Sequence, residues 1–162
     1  MKNLIRLQDG VAQLASDDGW ELLREAPEEL PAGELIVPLG AWLAADVAPV
    51  RGVWLAPEDD PMRLAGRLDE LALIAIDFPS FRDGRGYSLA YLLRTRLGWG
   101  GELRAVGDVL RDQLAHMRQC GFDAFAVRED KSAEDALKGL AGLSVQYGRS
   151  AIEPRPLFRR RS

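Results

Sequence analysis

From residue 53 onward, short apolar segments alternate with segments of helical periodicity, and this alternation most constrains the fold. Each interval has room for one helix, and the apolar segments begin near residues 53, 73, 102, 123 and 144. Strands that alternate with helices favour a parallel sheet joined by right-handed crossovers. We therefore predict an α/β fold of repeated βα units around a parallel sheet of about five strands.

Strands of this kind can form an open sheet or a partial barrel, and the pattern leaves both possible. A complete eight-stranded βα barrel usually needs about 250 residues, whereas the chain has 162. The segment Leu73–Phe78 is apolar except for Asp77, which predicts a strand buried on both faces. Helices are predicted over residues 61–71, 87–97 and 109–120 and after Ser132, with further short strands over residues 35–39 and 144–147.

The first 52 residues lack this regularity. Leu4–Leu7 and Val11–Leu14 flank Asp9-Gly10, a dipeptide that favours a tight turn, so we predict an N-terminal β-hairpin extension followed by an acidic segment. The expected organisation is a single α/β domain over residues 1–150, made of the N-terminal part over 1–52 and the βα array over 53–150, with a flexible basic tail over 151–162.

The cysteine and histidine content excludes several kinds of chemistry. Cys120 is the only cysteine and His116 the only histidine. No disulfide can form within the chain, and neither a zinc site of the usual kind nor an iron–sulfur cluster can be assembled. We therefore expect no metal site and no cofactor. No apolar run approaches the roughly 20 residues of a membrane span, and the N-terminus is not a signal peptide, so we expect a cytoplasmic protein without a membrane partner.

The charges are unevenly distributed along the chain. Residues 1–60 hold 12 acidic and 4 basic residues, whereas residues 61–162 hold 13 acidic and 17 basic residues. Of the 21 basic residues 18 are arginine, which binds carboxylates and oxyanions with two parallel hydrogen bonds. The sequence pI of about 5.1 lacks the basic balance of nucleic-acid-binding proteins, so no nucleic-acid partner is expected.

Three neighbouring strands of the predicted array end in aspartate or arginine. Asp77 ends one strand, Asp108 follows the next, and Arg128-Glu129-Asp130 follows the third. Ligands of parallel α/β sheets bind beyond the carboxyl ends of the strands. Asp77 is therefore a candidate general base or ligand-binding group, and the alternative is a buried carboxylate paired with Arg104, Arg111 or Arg128. Asp108 is expected to cap the following helix.

The loop over residues 82–86, Arg-Asp-Gly-Arg-Gly, is the strongest candidate for anion binding, and we call it the glycine loop. Its glycines allow tight turns, its arginines bring charge, and a helix N-terminus follows. The alternative is structural: Asp83 caps the helix and pairs with Arg82 or Arg85. Arg111 and Arg118 share a helical stripe and could form a docking face. The candidate anion- or partner-binding residues are Arg82, Asp83, Gly84, Arg85, Gly86, Asp108, Arg111, Asp112 and Gln113.

The stretch from Leu73 to Val127 contains three distinctive motifs, Ile74-Ala75-Ile76-Asp77-Phe78-Pro79-Ser80-Phe81-Arg82-Asp83-Gly84-Arg85-Gly86-Tyr87-Ser88, Gly101-Glu102-Leu103-Arg104-Ala105-Val106-Gly107-Asp108-Val109-Leu110-Arg111-Asp112-Gln113 and Cys120-Gly121-Phe122-Asp123-Ala124-Phe125. In these motifs the stretch resembles bacterial domain-of-unknown-function family 934. The resemblance extends over residues 53–147. Members of this family are typically encoded beside the haemoprotein subunit of sulfite or nitrite reductase, and they are often labelled putative oxidoreductases of sulfite reduction.

The resemblance implies a context in sulfur assimilation rather than a set of catalytic residues. The first hypothesis is an accessory protein of assimilatory sulfite reduction that binds the haemoprotein subunit of the reductase, its electron donor or a small oxyanion. The second is a small enzyme, an oxidoreductase or an enzyme for an anionic substrate, with Asp77 as base and Arg82 and Arg85 holding the anion. The third is an α/β domain whose glycine loop is purely structural.

Overall fold

The computed structural model describes residues 1–15, 18–44 and 50–140. The predicted strand over residues 144–147 and the predicted basic tail over residues 151–162 lie outside the described residues. No helix in the described ranges is both long and apolar enough to cross a membrane.

The described chain forms one mixed sheet of eight strands in the order β2-β1-β8-β7-β6-β5-β4-β3. Strands β3 to β8 run parallel to one another, while β1 runs antiparallel to both β2 and β8. The strands are β1 (Leu4–Gln8), β2 (Val11–Ala15), β3 (Trp20–Leu22), β4 (Glu34–Pro38), β5 (Gly52–Leu55), β6 (Leu73–Phe78), β7 (Glu102–Gly107) and β8 (Ala124–Ala126).

The α/β class, the mostly parallel sheet and the partial-barrel alternative are confirmed, because the open sheet curls into a half-barrel. The number of about five strands was too small. The predicted hairpin exists, with its turn at Asp9 and Gly10, which both have positive φ. It is part of the sheet rather than an extension, because Leu4, Ile5 and Arg6 pair with β8. The three-residue strand β3, inside the acidic segment, was not predicted because it is too short to show alternation.

The connecting segments are shorter and less regular than the periodicity suggested. The α-helices are α1 (Leu39–Ala44), α2 (Arg85–Thr95), α3 (Leu114–Cys120) and α4 (Ala133–Leu137), and 3₁₀ turns cover Pro61–Leu64, Leu68–Glu70, Arg111–Gln113 and Lys138–Leu140. In place of the helix predicted over residues 61–71 there are two 3₁₀ turns, because Gly66 between them has a φ of +84° and interrupts the helical path. The helix predicted from residue 109 begins only after a 3₁₀ turn at Arg111.

The sheet has two buried faces, as the apolar sequence of β6 predicts. Ile74, Ile76 and Phe78 point to the outer face, where they pack with residues of the helices. Leu73 and Ala75 point to the inner face of the half-barrel, where Trp20 and Trp54 pack against the same cluster. All six residues of β6 are buried. Side chains packed on both faces of the sheet therefore fix the position of β6 and of the residues at its end.

The inner face also contains a charged cluster centred on Arg104 of β7, whose side chain is 0% exposed. Its Nε donates to Glu102 at 2.8 Å, and its Nη2 donates to the carboxylate of Asp18. Asp18 precedes β3 and also contacts Arg6 of β1, with 3.1 Å between Arg6 Nη2 and Asp18 Oδ2. Because β1, β7 and β3 are not neighbours in the sheet, the cluster joins separate parts of the half-barrel across its interior.

The Asp18 carboxylate of this cluster has a lowered pKa. Burial acts to raise the pKa of the Asp18 carboxyl, but hydrogen bonds from Arg104, the Met1 amine and the Trp20 backbone outweigh burial and lower that pKa to about 2. The carboxylate is therefore held in its charged form by the folded structure. A buried guanidinium without its counter-ion is strongly destabilising.

We predict that Asp18→Asn lowers the free energy of unfolding by about 3 kcal/mol, because Arg104 keeps its burial but loses a counter-ion. Urea unfolding followed by tryptophan fluorescence measures the change. Asp69→Asn, at an exposed position of a 3₁₀ turn, is the control and should change stability by less than about 0.5 kcal/mol. Equal stability of the two variants would contradict this role of Asp18.

The same carboxylate predicts a component of acid unfolding. Since the pKa of Asp18 is lower in the folded chain than its ordinary value of 3.8, its stabilising contribution is complete above about pH 4 and is lost as the pH falls to about 2. The stability difference between the wild-type protein and Asp18→Asn should therefore shrink over that pH interval. Unfolding curves at pH 6, 4 and 3 measure it, and a difference that stays constant would refute the assignment.

Candidate functional site

An open cleft of about 610 Å³ lies at the carboxyl ends of β6 and β7. In the register of this pair Phe78 lies opposite Gly107, so both strands end at the same level. Parallel strands place their carboxyl ends at one edge, which is where α/β sheets bind ligands. We call this feature the carboxyl-end cleft, and its lining residues are Arg24, Asp77, Phe78, Pro79, Gly107, Asp108 and Arg128.

Asp77 is the most buried charged residue of the cleft, at 8% exposure. Its Oδ1 lies 3.0 Å from Nη1 of Arg24, yet no donor in the described chain gives that oxygen a well-aligned hydrogen bond. Of the predicted partners, neither Arg104 nor Arg111 nor Arg128 is the one that pairs with it. The Arg104 guanidinium instead donates hydrogen bonds to Glu102 and Asp18.

Arg24 reaches Asp77 because the segment after β3 crosses the inner face. The indole Nε1 of Trp54 donates to the Leu23 carbonyl at 2.9 Å, which anchors the segment. The Arg24 guanidinium then lies 5.1 Å from the Trp54 ring centroid, close enough for a cation–π contact. The Arg24 side chain is 52% exposed, so the buried Asp77 carboxylate is paired with an arginine that still contacts the solvent.

Gly107 shapes the wall of the cleft beside Asp77. Its φ is +95°, a conformation that residues with a side chain rarely adopt. A Cβ at this position would lie 2.5 Å from Asp77 Oδ1 and 2.5 Å from the Phe78 carbonyl oxygen. The glycine therefore permits both the turn after β7 and the close approach of the carboxylate.

Asp108 does not cap the following helix, which corrects the prediction. Its Oδ2 accepts a hydrogen bond from the Phe81 backbone N–H at 2.7 Å, and its Oδ1 pairs with Arg128 Nη1 at 2.6 Å. The reason is that the chain stays irregular after Gly107 and the first turn begins only at Arg111. Asp108 thus fixes the neighbouring loop and one arginine of the cleft.

Gln113 holds the same loop from the other side. Its Nε2 donates to the Phe81 carbonyl at 2.6 Å, while its Oε1 accepts from the Leu110 backbone N–H at 3.1 Å. Both backbone groups of Phe81 are therefore bound by side chains from the segment after β7. The residue Phe81 remains 44% exposed, and the Arg82 guanidinium lies 5.4 Å from the centroid of its ring.

Within the glycine loop, Asp83 pairs with Arg85, as the structural alternative predicted. The Arg85 side chain donates to the Asp83 carboxylate at 3.1 and 2.7 Å, and the Arg85 backbone N–H donates to it at 3.0 Å. These bonds from Arg85 lower the pKa of Asp83 to about 2. Gly84 has an ordinary φ of −90° and open space around it, so the loop conformation does not require glycine there.

The other predicted residues are distributed over the outer side of the fold. Arg111 pairs with Asp135 of α4, with 3.4 Å between Nη1 and Oδ1, and Asp112 is exposed. Gly86 is buried in α2, and a Cβ there would lie 2.7 Å from the Phe78 ring. Arg118 is buried and donates to the Gly10 carbonyl at 3.0 Å. The predicted docking stripe of Arg111 and Arg118 was therefore wrong, since Arg118 ties α3 to the hairpin turn.

The structure brings Asp77 and Asp108 together in the cleft, whereas the glycine loop does not line it. Arg24 and Arg128 complete the lining and were not among the predicted site residues. Arg128 lies two residues after the end of β8, so its place near a strand end was visible in the sequence. Nothing in the sequence indicates Arg24, because its position depends on how the segment after β3 crosses the sheet.

A family model described as "Bacterial protein of unknown function (DUF934)" matches residues 52–158 of the chain. The matched range begins with β5 and includes Asp77, the glycine loop, Asp108 and Arg128, whereas Arg24 precedes it. No curated protein and no solved structure matches the chain.

We predict that Gly107→Ala destabilises the protein by about 3 kcal/mol, because the new Cβ collides with Asp77 and Phe78 at a strained φ. Gly84→Ala is the matched control in the same region. It should change the free energy of unfolding by less than about 0.5 kcal/mol, since no atom lies within 4 Å of the added methyl group. Thermal and urea unfolding measure both variants, and a tolerated Gly107→Ala would disprove the close contact.

Proposed function

Because the chain belongs to the DUF934 family, we propose that it is an accessory protein of assimilatory sulfite reduction that acts by binding. Members of this family are typically encoded beside the haemoprotein subunit of sulfite or nitrite reductase, and this neighbourhood of the genes supports the proposal. That subunit is the partner that we propose. The proposed docking surface is the exposed pair Phe81 and Arg82, in the loop beside the carboxyl-end cleft. In this role the chain carries no redox step of its own.

The observation that carries the proposal is an exposed aromatic–arginine pair on a fixed loop. Phe81 and Arg82 stack against each other, while Asp108 and Gln113 hold the Phe81 backbone. Aromatic and arginine side chains dominate the binding energy of many protein interfaces. A loop that is already ordered loses less conformational entropy on binding. The pair is therefore suited to docking against a protein surface.

The charges around this pair distinguish Arg82 from its neighbours. Arg85 and Arg111 are both exposed, but each has a carboxylate partner in Asp83 or Asp135. No ion pair joins Arg82 to another residue of the described ranges, and its guanidinium rests on the Phe81 ring instead. Arg82 can therefore pair with an acidic group of a partner without giving up an internal salt bridge.

A small enzyme that uses Asp77 as its base is the second candidate, and the burial of Asp77 in an open cleft favours it. The geometry supports this candidate less well than the first. Arg82 and Arg85, which were predicted to hold the anionic substrate, do not line the cleft that contains Asp77. The Asp83–Arg85 pair also neutralises much of the charge that an anion would need.

We predict that Phe81→Ala combined with Arg82→Ala weakens binding to the haemoprotein subunit at least tenfold, about 1.4 kcal/mol. Both side chains are exposed, so the fold should be retained. Biolayer interferometry with the purified subunit gives the dissociation constants, and thermal unfolding checks the fold.

Arg51→Ala is the control, because Arg51 is an exposed arginine at the amino end of β5, paired with Glu34. It should bind as tightly as the wild-type protein. If the wild-type protein does not bind the subunit, or if the double variant and Arg51→Ala bind alike, the proposed docking surface is wrong.

A further inference from the structure

The carboxyl-end cleft carries alternating charges, and from this we infer that it binds a small zwitterion of the α-amino acid class. Two aspartates and two arginines line it, Asp77 beside Arg24 and Asp108 beside Arg128. In this complex the ligand ammonium group binds Asp77 and the ligand carboxylate binds Arg24. The inference goes beyond docking to the reductase, because it concerns a small molecule in the cleft rather than the Phe81–Arg82 surface.

The first support is the state of the Asp77 carboxylate. Oδ1 is withdrawn from solvent, yet it accepts no well-aligned hydrogen bond from the part of the chain that the structure describes. A buried acceptor that lacks a donor is costly, and a charged acceptor more so. An ammonium group carries three donors and no acceptor, so it can supply the missing bond.

The second support is the exposure of Arg24. Its guanidinium lies 3.0 Å from Asp77 Oδ1 without the alignment of a hydrogen bond, and half of its side chain faces the solvent. Because the Arg24 side chain is half exposed and makes no aligned hydrogen bond to Asp77, solvent screens this ion pair in part and weakens it. Contact with Trp54 keeps the guanidinium over the cleft. When an ammonium group takes Asp77, the guanidinium is available for a two-bond contact with the ligand carboxylate.

The third support is the charge balance of the lining. A bare oxyanion would meet Asp77 and Asp108 together with the arginines, and Arg128 is further neutralised by Asp130, 2.7 Å from its Nε. A simple cation would meet the two guanidinium groups. A ligand with both charges, separated by a few bonds, satisfies Asp77 and Arg24 without adding net charge to the cleft.

The space in the cleft agrees with a small organic ligand. Its volume of about 610 Å³ lies within the range of small-molecule sites and exceeds what a bare oxyanion needs. Because Gly107 has no side chain, the Asp77 carboxylate lies close to the backbone of the cleft wall.

The experiment compares glycine, L-serine and L-cysteine with acetate, ethylamine and sulfite, each at 10 mM, by thermal shift and then by isothermal titration calorimetry. Binding to the native state raises the melting temperature. At least one amino acid should raise it by about 2 °C or more, whereas acetate and ethylamine, which carry only one of the two charges, should not. Equal shifts with sulfite or acetate, or no shift with any amino acid, would overturn the inference.

Variants then locate the site on the same titration. Asp77→Asn and Arg24→Gln should each raise the dissociation constant at least tenfold, and Arg51→Gln, in an exposed ion pair at the other end of the strands, should leave it unchanged. Arg24 is exposed, so its variant tests the site even if Asp77→Asn is less stable. Unchanged affinity in Arg24→Gln would also overturn the inference. Binding of the haemoprotein subunit, measured separately, tests the docking proposal independently.

Discussion

The Arg104 guanidinium sits inside the half-barrel with no contact to solvent, and its two carboxylate partners determine how the interior is closed. Glu102 belongs to the same strand, but Asp18 comes from the distant part of the chain between β2 and β3. The penalty for burying an unpaired guanidinium makes this long-range contact obligatory rather than incidental. Once Asp18 is in place, the chain that follows it is directed across the inner face.

The functional groups of the cleft depend on that path. Residues 20–24 continue from Asp18, with Trp20 packed in the inner cluster and Leu23 bound by Trp54. The segment ends with Arg24 beside Asp77. The charged cluster around Arg104 thus fixes the start of the segment that brings Arg24 to the carboxyl-end cleft. The part of the chain that matches the family model supplies Asp77 and Asp108 to the same cleft. The N-terminal part and the βα array build the cleft jointly.

The sequence predicted those features that depend on local patterns. The apolar run of β6, the Asp9-Gly10 turn and the Asp83–Arg85 pairing need only a few adjacent residues. Prediction from the sequence failed for contacts between segments that lie far apart in the chain. The pairing of β1 with β8, the partner of Arg104 and the partner of Asp77 all join residues that lie far apart in sequence. The helical spacing of Leu64, Leu68 and Leu71 predicted one helix over residues 61–71. That prediction was wrong because the positive φ of Gly66 interrupts the helix.

The antiparallel pairing of Leu4 with Ala126 has a kinetic consequence. Because β1 precedes β8 by more than a hundred residues, it must wait for the last of the described strands before it finds its neighbour on that side. Contacts between such distant residues raise the contact order and slow folding, because the entropy of closing a long loop is lost before the contact contributes any stabilising energy. Until then β1 leaves an unpaired edge, and such edges expose a nascent chain to aggregation and to chaperones.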